Sequence, residues 1–172
     1  MIETHGVDIL CISETWKVKG VASPTFKGYK VLARADKKTP TGIGGGLIVY
    51  VKHNLRFRLL KSHKSPVKTA QIIHFRNNIT DFIFTYRSPN QTPEEANRVF
   101  LTYATYASRC QNAVLFGDLN LPQMNWATLT DPTPIGEKFV GHMRGIGMTQ
   151  VIMEPTRQGN ILDVVLLSLI HI

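Results

Sequence analysis

Gly117-Asp118-Leu119-Asn120 directly follows the apolar run Ala113-Val114-Leu115-Phe116. A buried strand that ends in a glycine and then delivers an aspartate and an asparagine two positions apart puts both polar side chains on one side of its exit. Such a pair suits hydrolysis of phosphate esters, because the carboxylate takes a proton from water while the amide holds that water or the phosphate. The same residues also make an Asx turn, since Gly, Asp and Asn are the commonest turn formers. Three more polar groups sit just past apolar strands: Glu14, Tyr86-Arg87, and Asp163 within the run from Asn160 to Leu166. Strand ends that converge on one rim can assemble a site from distant residues. Magnesium takes one or two carboxylates plus phosphate oxygens, and Glu14 suits the ligand role.

The elements that must position these groups are legible in outline. Residues 7–12, 29–32, 47–51, 70–75, 79–86, 113–116, 150–153 and 161–167 read as strands, and the polar turn Arg76-Asn77-Asn78 makes a hairpin of the fourth and fifth. Thr92-Pro93-Glu94-Glu95 gives a helix cap, a proline at the first helical position and a capping box. Val99, Phe100, Tyr103 and Tyr106 then recur at helical spacing. A loop over 121–134 leads to a second helix at 136–146. Thr41-Gly42-Ile43-Gly44-Gly45-Gly46 is not a phosphate-cradling loop, because it opens a strand rather than a helix and no Lys-Ser/Thr pair follows. The expectation is one α+β domain with mainly antiparallel pairing.

With 172 residues, 43% of them hydrophobic, the chain can bury a core. No apolar run is long enough to span a bilayer, and Met1-Ile2-Glu3-Thr4-His5 has no signal-peptide character. Two cysteines, Cys11 and Cys110, are too few for a disulfide framework or a zinc site of their own, which points to a reducing compartment, nucleus or cytoplasm, rather than secretion. The sequons at Asn78 and Asn90 are then chance matches. Residues 1–90 hold 15 Lys/Arg against 5 Asp/Glu, a net +10, whereas residues 91–172 hold 5 against 7, a net −2. The densest basic run is Lys52, His53, Arg56, Arg58, Lys61, His63, Lys64 and Lys68. Arg56 and Arg58 alternate, so on a strand they share a face, and such a ribbon attracts polyanions, nucleic acid above all.

Read in order, the motifs resemble the endonuclease/exonuclease/phosphatase family, and most closely the endonuclease domains of non-LTR retrotransposons. They run from Asp8 to Trp16 (Asp-Ile-Leu-Cys-Ile-Ser-Glu-Thr-Trp), through Gly44-Gly45-Gly46 and Tyr86-Arg87-Ser88-Pro89-Asn90. They continue with Gly117 to Pro122, Asn125-Trp126, Glu154-Pro155-Thr156-Arg157 and Leu162-Asp163. The resemblance implies a two-sheet sandwich, four layers α/β/β/α, with the site at one rim. It implies that Glu14 binds Mg2+ (or Mn2+) and Asp118 orients or deprotonates the attacking water. Asn120 would hold that water and the phosphate, Tyr86 would hydrogen-bond the developing charge, and Asp163 would orient a histidine from further on. Arg87 and Asn90 would be phosphate contacts, with Arg56 and Arg58 on the DNA track. This branch of the family nicks DNA and leaves a 3′-hydroxyl for a linked reverse transcriptase.

The resemblance also has gaps. The family opens with an asparagine-bearing strand, and Met1 falls after it. The Ser-Asp-His triplet that supplies the histidine does not occur before Ile172, and His171 is too close to Asp163 to replace it. Ser88 stands where proline is usual. The expectation is therefore a single domain over 1–172 that is incomplete at both ends, binding metal and DNA weakly and nicking near background. Two alternatives follow: a catalytically dead nucleic-acid-binding remnant, or a phosphatase for inositol lipids or nucleotides on the same fold.

Overall fold

The computed structural model describes residues 6–16, 21–36, 45–62 and 66–168. Gly44, His63, Lys64 and His171, all named above, lie outside them. The described residues form nine strands and two helices in the order β1 (Ile9–Ser13), β2 (Tyr29–Ala35), β3 (Leu47–Lys52), β4 (Arg58–Ser62), β5 (Ala70–Arg76), β6 (Asp81–Arg87), α1 (Pro93–Ala107), β7 (Ala113–Asp118), α2 (Pro134–Gly145), β8 (Met148–Gln150) and β9 (Asp163–Ser168). One sheet has the order β1-β3-β2, the other β4-β5-β6-β7-β9-β8. Every pairing is antiparallel except β6 with β7, which the crossover through α1 makes parallel.

The sheets pack face to face as an α+β sandwich. Ala33, Ala35, Leu47, Val49 and Val51 of the small sheet meet Ile73, Phe75, Phe84 and Tyr86 of the large one. On the other face of the large sheet, Ile72, Ile83, Leu115, Val164 and Leu166 pack against Val99, Phe100 and Tyr103 of α1 and Phe139 and Met143 of α2. Each such side chain, once buried, stabilises the fold by roughly 1.5–3 kcal/mol. Both described helices therefore cover one sheet, and the described residues supply three of the four layers. Between β1 of the small sheet and the inner faces of β7 and β9 runs an apolar groove of about 610 Å3, with Ile9, Cys11, Phe116, Val114 and Val165 in its wall.

Local chemistry sets the helix starts. Thr92 accepts from the Glu95 amide at 3.2 Å while the Glu95 carboxylate accepts from the Thr92 amide, a complete capping box before Pro93. Thr133 caps α2 by accepting from the Gly136 amide at 3.0 Å, so that helix begins at Pro134, two residues before the expected start. The sequence pattern did not single out β4 as a strand: its apolar content is low because it is an edge strand, paired on one side only. No helix among the described residues is long and apolar enough to cross a membrane.

Candidate active site

Strand alternation decides which side chains can meet. Along β6, Phe82, Phe84 and Tyr86 face the small sheet, and Ile83, Thr85 and Arg87 face the helices. Register then carries the pattern across the sheet: Tyr86 lies opposite Asp118 of β7, and Asp118 lies opposite Asp163 of β9. Directly paired residues share a face. The apolar inner face of the large sheet thus ends, at one rim, in a row of three polar side chains.

Glu14 joins that row from the other sheet. It leaves β1 with φ 51°, and its carboxylate is close enough to the Tyr86 hydroxyl to help burial hold that hydroxyl protonated. Thr15 and Trp16 donate their amides to Gly46 and Gly45 at 3.3 and 3.1 Å, which holds the segment against the start of β3. Gly46 has φ +101°, and a Cβ there would stand 2.4 Å from Thr15 Oγ1, so glycine is required. The Gly46 amide in turn donates to Oε1 of buried Gln71 at 3.1 Å, and Gln71 lies opposite Tyr86 in register. A buried amide side chain therefore ties the two sheets together beside the row.

The strand exit at β7 is held from below. Gly117 has φ +133°, and a Cβ there would come within 1.9 Å of the Thr85 carbonyl oxygen, so no other residue fits this parallel pairing. Asp118 Oδ1 accepts from the Asn120 amide at 2.9 Å, the Asx turn that the residue types also allow. Asn120 sits at φ 48°, a left-handed conformation that asparagine tolerates, and its Nδ2 donates to the Arg87 carbonyl at 2.7 Å. One amide hydrogen and Oδ1 remain to face a water or phosphate.

The electrostatics of the row are those of crowded carboxylates. Burial pushes Asp118 up from the usual carboxylate range to about 6, with Asp163 and Glu14 adding to the rise; the Asn120 amide and Arg157 act against it. Burial, together with Glu14 and Asp118, also raises Tyr86, which stays a protonated donor. Asp163 is exposed, and Thr156 Oγ1 accepts from its amide and that of Leu162 at 3.1 and 3.0 Å. Glu14, Asp118 and Asp163 are hard oxygen donors of like charge, two of them open to solvent, the donor class a hydrated divalent cation takes, but their ligand atoms do not all lie within 4.8 Å of one another.

Two readings from sequence need correction. Arg87 is not a free phosphate contact: it is 2% exposed, its Nε donates to the Leu119 carbonyl at 2.5 Å, and its NH2 donates to the Asn120 carbonyl. It belongs to the helix face of β6 and clamps the Asp118–Asn120 turn from beneath. Arg56 and Arg58 are exposed on either side of inward-facing Phe57, so the alternation holds. But Arg58 pairs with Arg76, and Arg76 with Asp81, at the opposite end of the large sheet from Tyr86. They do not border the row. Lys52 is ion-paired with Asp8 at 2.8 Å and Lys61 lies over the Tyr106 ring, whereas exposed Lys68 precedes Ala70, which pairs with Arg87 at the rim end. Asn90 is exposed on the loop that leaves β6. Gln71 and Arg157 were not among the expected site residues. Gln71's position two residues before Ile73 on an apolar strand is the signal that could have found it.

The chain belongs to the endonuclease/exonuclease/phosphatase family, whose model matches residues 1–168. No curated protein matches the sequence. Among solved structures, the endonuclease domain of TRAS1, a telomere-specific non-LTR retrotransposon, is 18% identical with a TM-score of 0.64, over 98% of this chain and 75% of that one. An AP endonuclease from Archaeoglobus fulgidus is 15% identical with a TM-score of 0.62, over 97% and 78%. ANGEL2, a 2′,3′-cyclic phosphatase, is 13% identical with a TM-score of 0.59, over 97% and 72%. At these identities the likeness is one of fold.

Proposed function

We propose that this member of the endonuclease/exonuclease/phosphatase family is a magnesium-dependent phosphodiester hydrolase that nicks DNA, the endonuclease domain of a retroelement acting with a linked reverse transcriptase. The observation that carries the reading is the register row Tyr86–Asp118–Asp163, with the Glu14 carboxylate acting electrostatically on Tyr86 from the other sheet. The motif order, which resembles retrotransposon endonucleases, supports the retroelement assignment, and the net +10 of residues 1–90 supports a polyanionic substrate.

In this reading Glu14 and the Asp118–Asp163 pair would hold a divalent cation, which would supply positive charge against the scissile phosphate. Asp118 acts as the base that orients a water and accepts its proton, in the ionised form that prevails above about pH 6. The Asn120 amide holds the water and a phosphate oxygen. Tyr86, kept protonated, donates to the charge that develops on phosphorus-bound oxygen. Exposed Arg157 and Asn90 contact flanking phosphates.

The test is relaxation of supercoiled plasmid in magnesium by the chain within its full-length protein. Chelation, Asp118→Ala and Glu14→Ala should each abolish nicking. Nicking unchanged by both substitutions would overturn the assignment of the site. A second reading, binding without cleavage, has one specific support: among the described residues no histidine stands in the row, since His74 pairs with Ile83 further along the sheet and His142 bonds Asn97. Salt-sensitive DNA binding with no magnesium-dependent nicking would favour it. Phosphate release from a nucleotide with plasmid left intact would favour a phosphatase.

A further inference from the structure

At the opposite end of β6 from the row, three side chains with metal-ligating atoms converge from separate segments. His74 comes from β5, Asp81 opens β6, and Cys110 follows α1. Their donor atoms all lie within 4.8 Å of one another, and all three residues are buried. His74 Nε2 stands 2.8 Å from Asp81 Oδ1. The Cys110 thiol donates to the Tyr106 carbonyl at 3.0 Å, and its sulfur lies within 4.8 Å of an Asp81 carboxylate oxygen. The His74 ring stacks on Tyr106, with centroids 5.0 Å apart, which fixes its plane.

We propose that His74 Nε2, Asp81 Oδ1 and Cys110 Sγ form a zinc site separate from the phosphate-hydrolysing row. One imidazole, one carboxylate and one thiolate are the donor classes of tetrahedral zinc, and hard magnesium avoids thiolate. Bonds of about 2.0–2.3 Å place tetrahedral ligands roughly 3.3–3.7 Å apart. The His74–Asp81 pair therefore needs to open by only about half an ångström. The metal takes the place of the proton between His74 Nε2 and Asp81, and that proton moves to Nδ1, so the imidazole stays neutral and binds through Nε2. The thiol proton goes to solvent, and a water completes the fourth position.

The surroundings supply the supporting shell. Arg76 NH2 donates to the outer carboxylate oxygen, Asp81 Oδ2, at 2.6 Å, while its Nε reaches Oδ1 at 3.2 Å. A carboxylate held by its second oxygen is oriented for binding through the first. Arg76 and nearby Lys61 oppose the added positive charge, and the Cys110 thiolate and Asp81 offset the two charges of zinc. The five residues from Asp81 to Tyr86 put the two sites about 17 Å apart along β6. Zinc here would staple the β5–β6 hairpin to the end of α1, without entering the row.

The probe is the metal alone. Purified protein should bind one zinc per chain in competition with a chromophoric chelator, and cobalt in its place should give the near-ultraviolet charge-transfer band of a thiolate–cobalt bond. Cys110→Ser should remove the band and weaken zinc at least tenfold, whereas Cys11→Ser and Asp118→Asn should leave both intact. Absence of a thiolate–cobalt band in the unaltered protein would overturn the proposal even if every variant failed to fold. Zinc binding lost in Asp118→Asn but kept in Cys110→Ser would overturn it too, since the metal would then sit at the row.

Discussion

Beyond burial, the Glu14 carboxylate raises the pKa of the Tyr86 hydroxyl across the gap between the two sheets, coupling residues 72 positions apart in the chain. Neither is placed by the other's sheet, so the coupling reports how the sandwich closes. Removing the hydroxyl tests whether it serves chemistry or only closure. Tyr86→Phe should lower nicking about a hundred- to a thousandfold with DNA affinity nearly unchanged, as expected for a donor used in the transition state. Single-turnover rates beside equilibrium binding separate the two, and an equal loss in both would assign the hydroxyl to structure.

Asp118 should titrate near pH 6 in the metal-free protein. Its folded value lies above the unfolded one, so the unfolded chain ionises first, and the stability its protonated form contributes is lost as pH rises through about 6. Asp118→Asn keeps an acceptor for the Asn120 amide and removes the buried charge. It should therefore raise stability at pH 7.5 by up to about 2–3 kcal/mol, and by about half as much at pH 5. Melts of the two proteins at both pH values settle the sign. Added magnesium should pull the Asp118 titration downward, visible in carboxyl carbon resonances.

Gly117→Ala should destabilise the domain by about 3 kcal/mol or more, because it combines a left-handed backbone with a clash against the Thr85 carbonyl. Gly141→Ala, in α2 with open space around it, should instead stabilise by about 0.5–1 kcal/mol. Denaturant unfolding of the pair checks both directions. A mild effect at Gly117 would mean that β6 and β7 are not paired as described.

Arg87→Lys should slow nicking while leaving the salt dependence of DNA binding unchanged, since the guanidinium holds the backbone of Leu119 and Asn120. Lys68→Ala should do the reverse, reducing the log–log salt slope by about 0.9 if it neutralises one phosphate. Filter binding over a range of salt concentrations distinguishes them. A reduced slope for Arg87→Lys would restore it as a phosphate contact.

The strand exits that carry Glu14, Tyr86 and Asp118 were visible in the sequence because an apolar run that stops at a polar residue marks the end of burial. The facing of Arg87 was also visible, though unused. Phe82, Phe84 and Tyr86 form one parity and Ile83, Thr85 and Arg87 the other, so adjacent Tyr86 and Arg87 could never have shared a surface. Where Arg56 and Arg58 stand along the sheet was not legible. It depends on the register of β4 with β5, and pairing register is a long-range property with no local spelling. The bridge from Gln71 to Gly46 escaped for the same reason, as its two ends belong to different sheets.

The parallel alignment of β6 with β7 also has a kinetic meaning. Hairpins such as β5–β6 can zip up from their turns, but Tyr86 and Asp118 become neighbours only after the intervening α1 has docked and closed a long loop. Assembly of the row is thereby coupled to the slow, non-local part of the folding reaction. Refolding followed by circular dichroism should run ahead of refolding followed by recovery of the active site, and agents that loosen α1 should silence the row while most of the sheet persists.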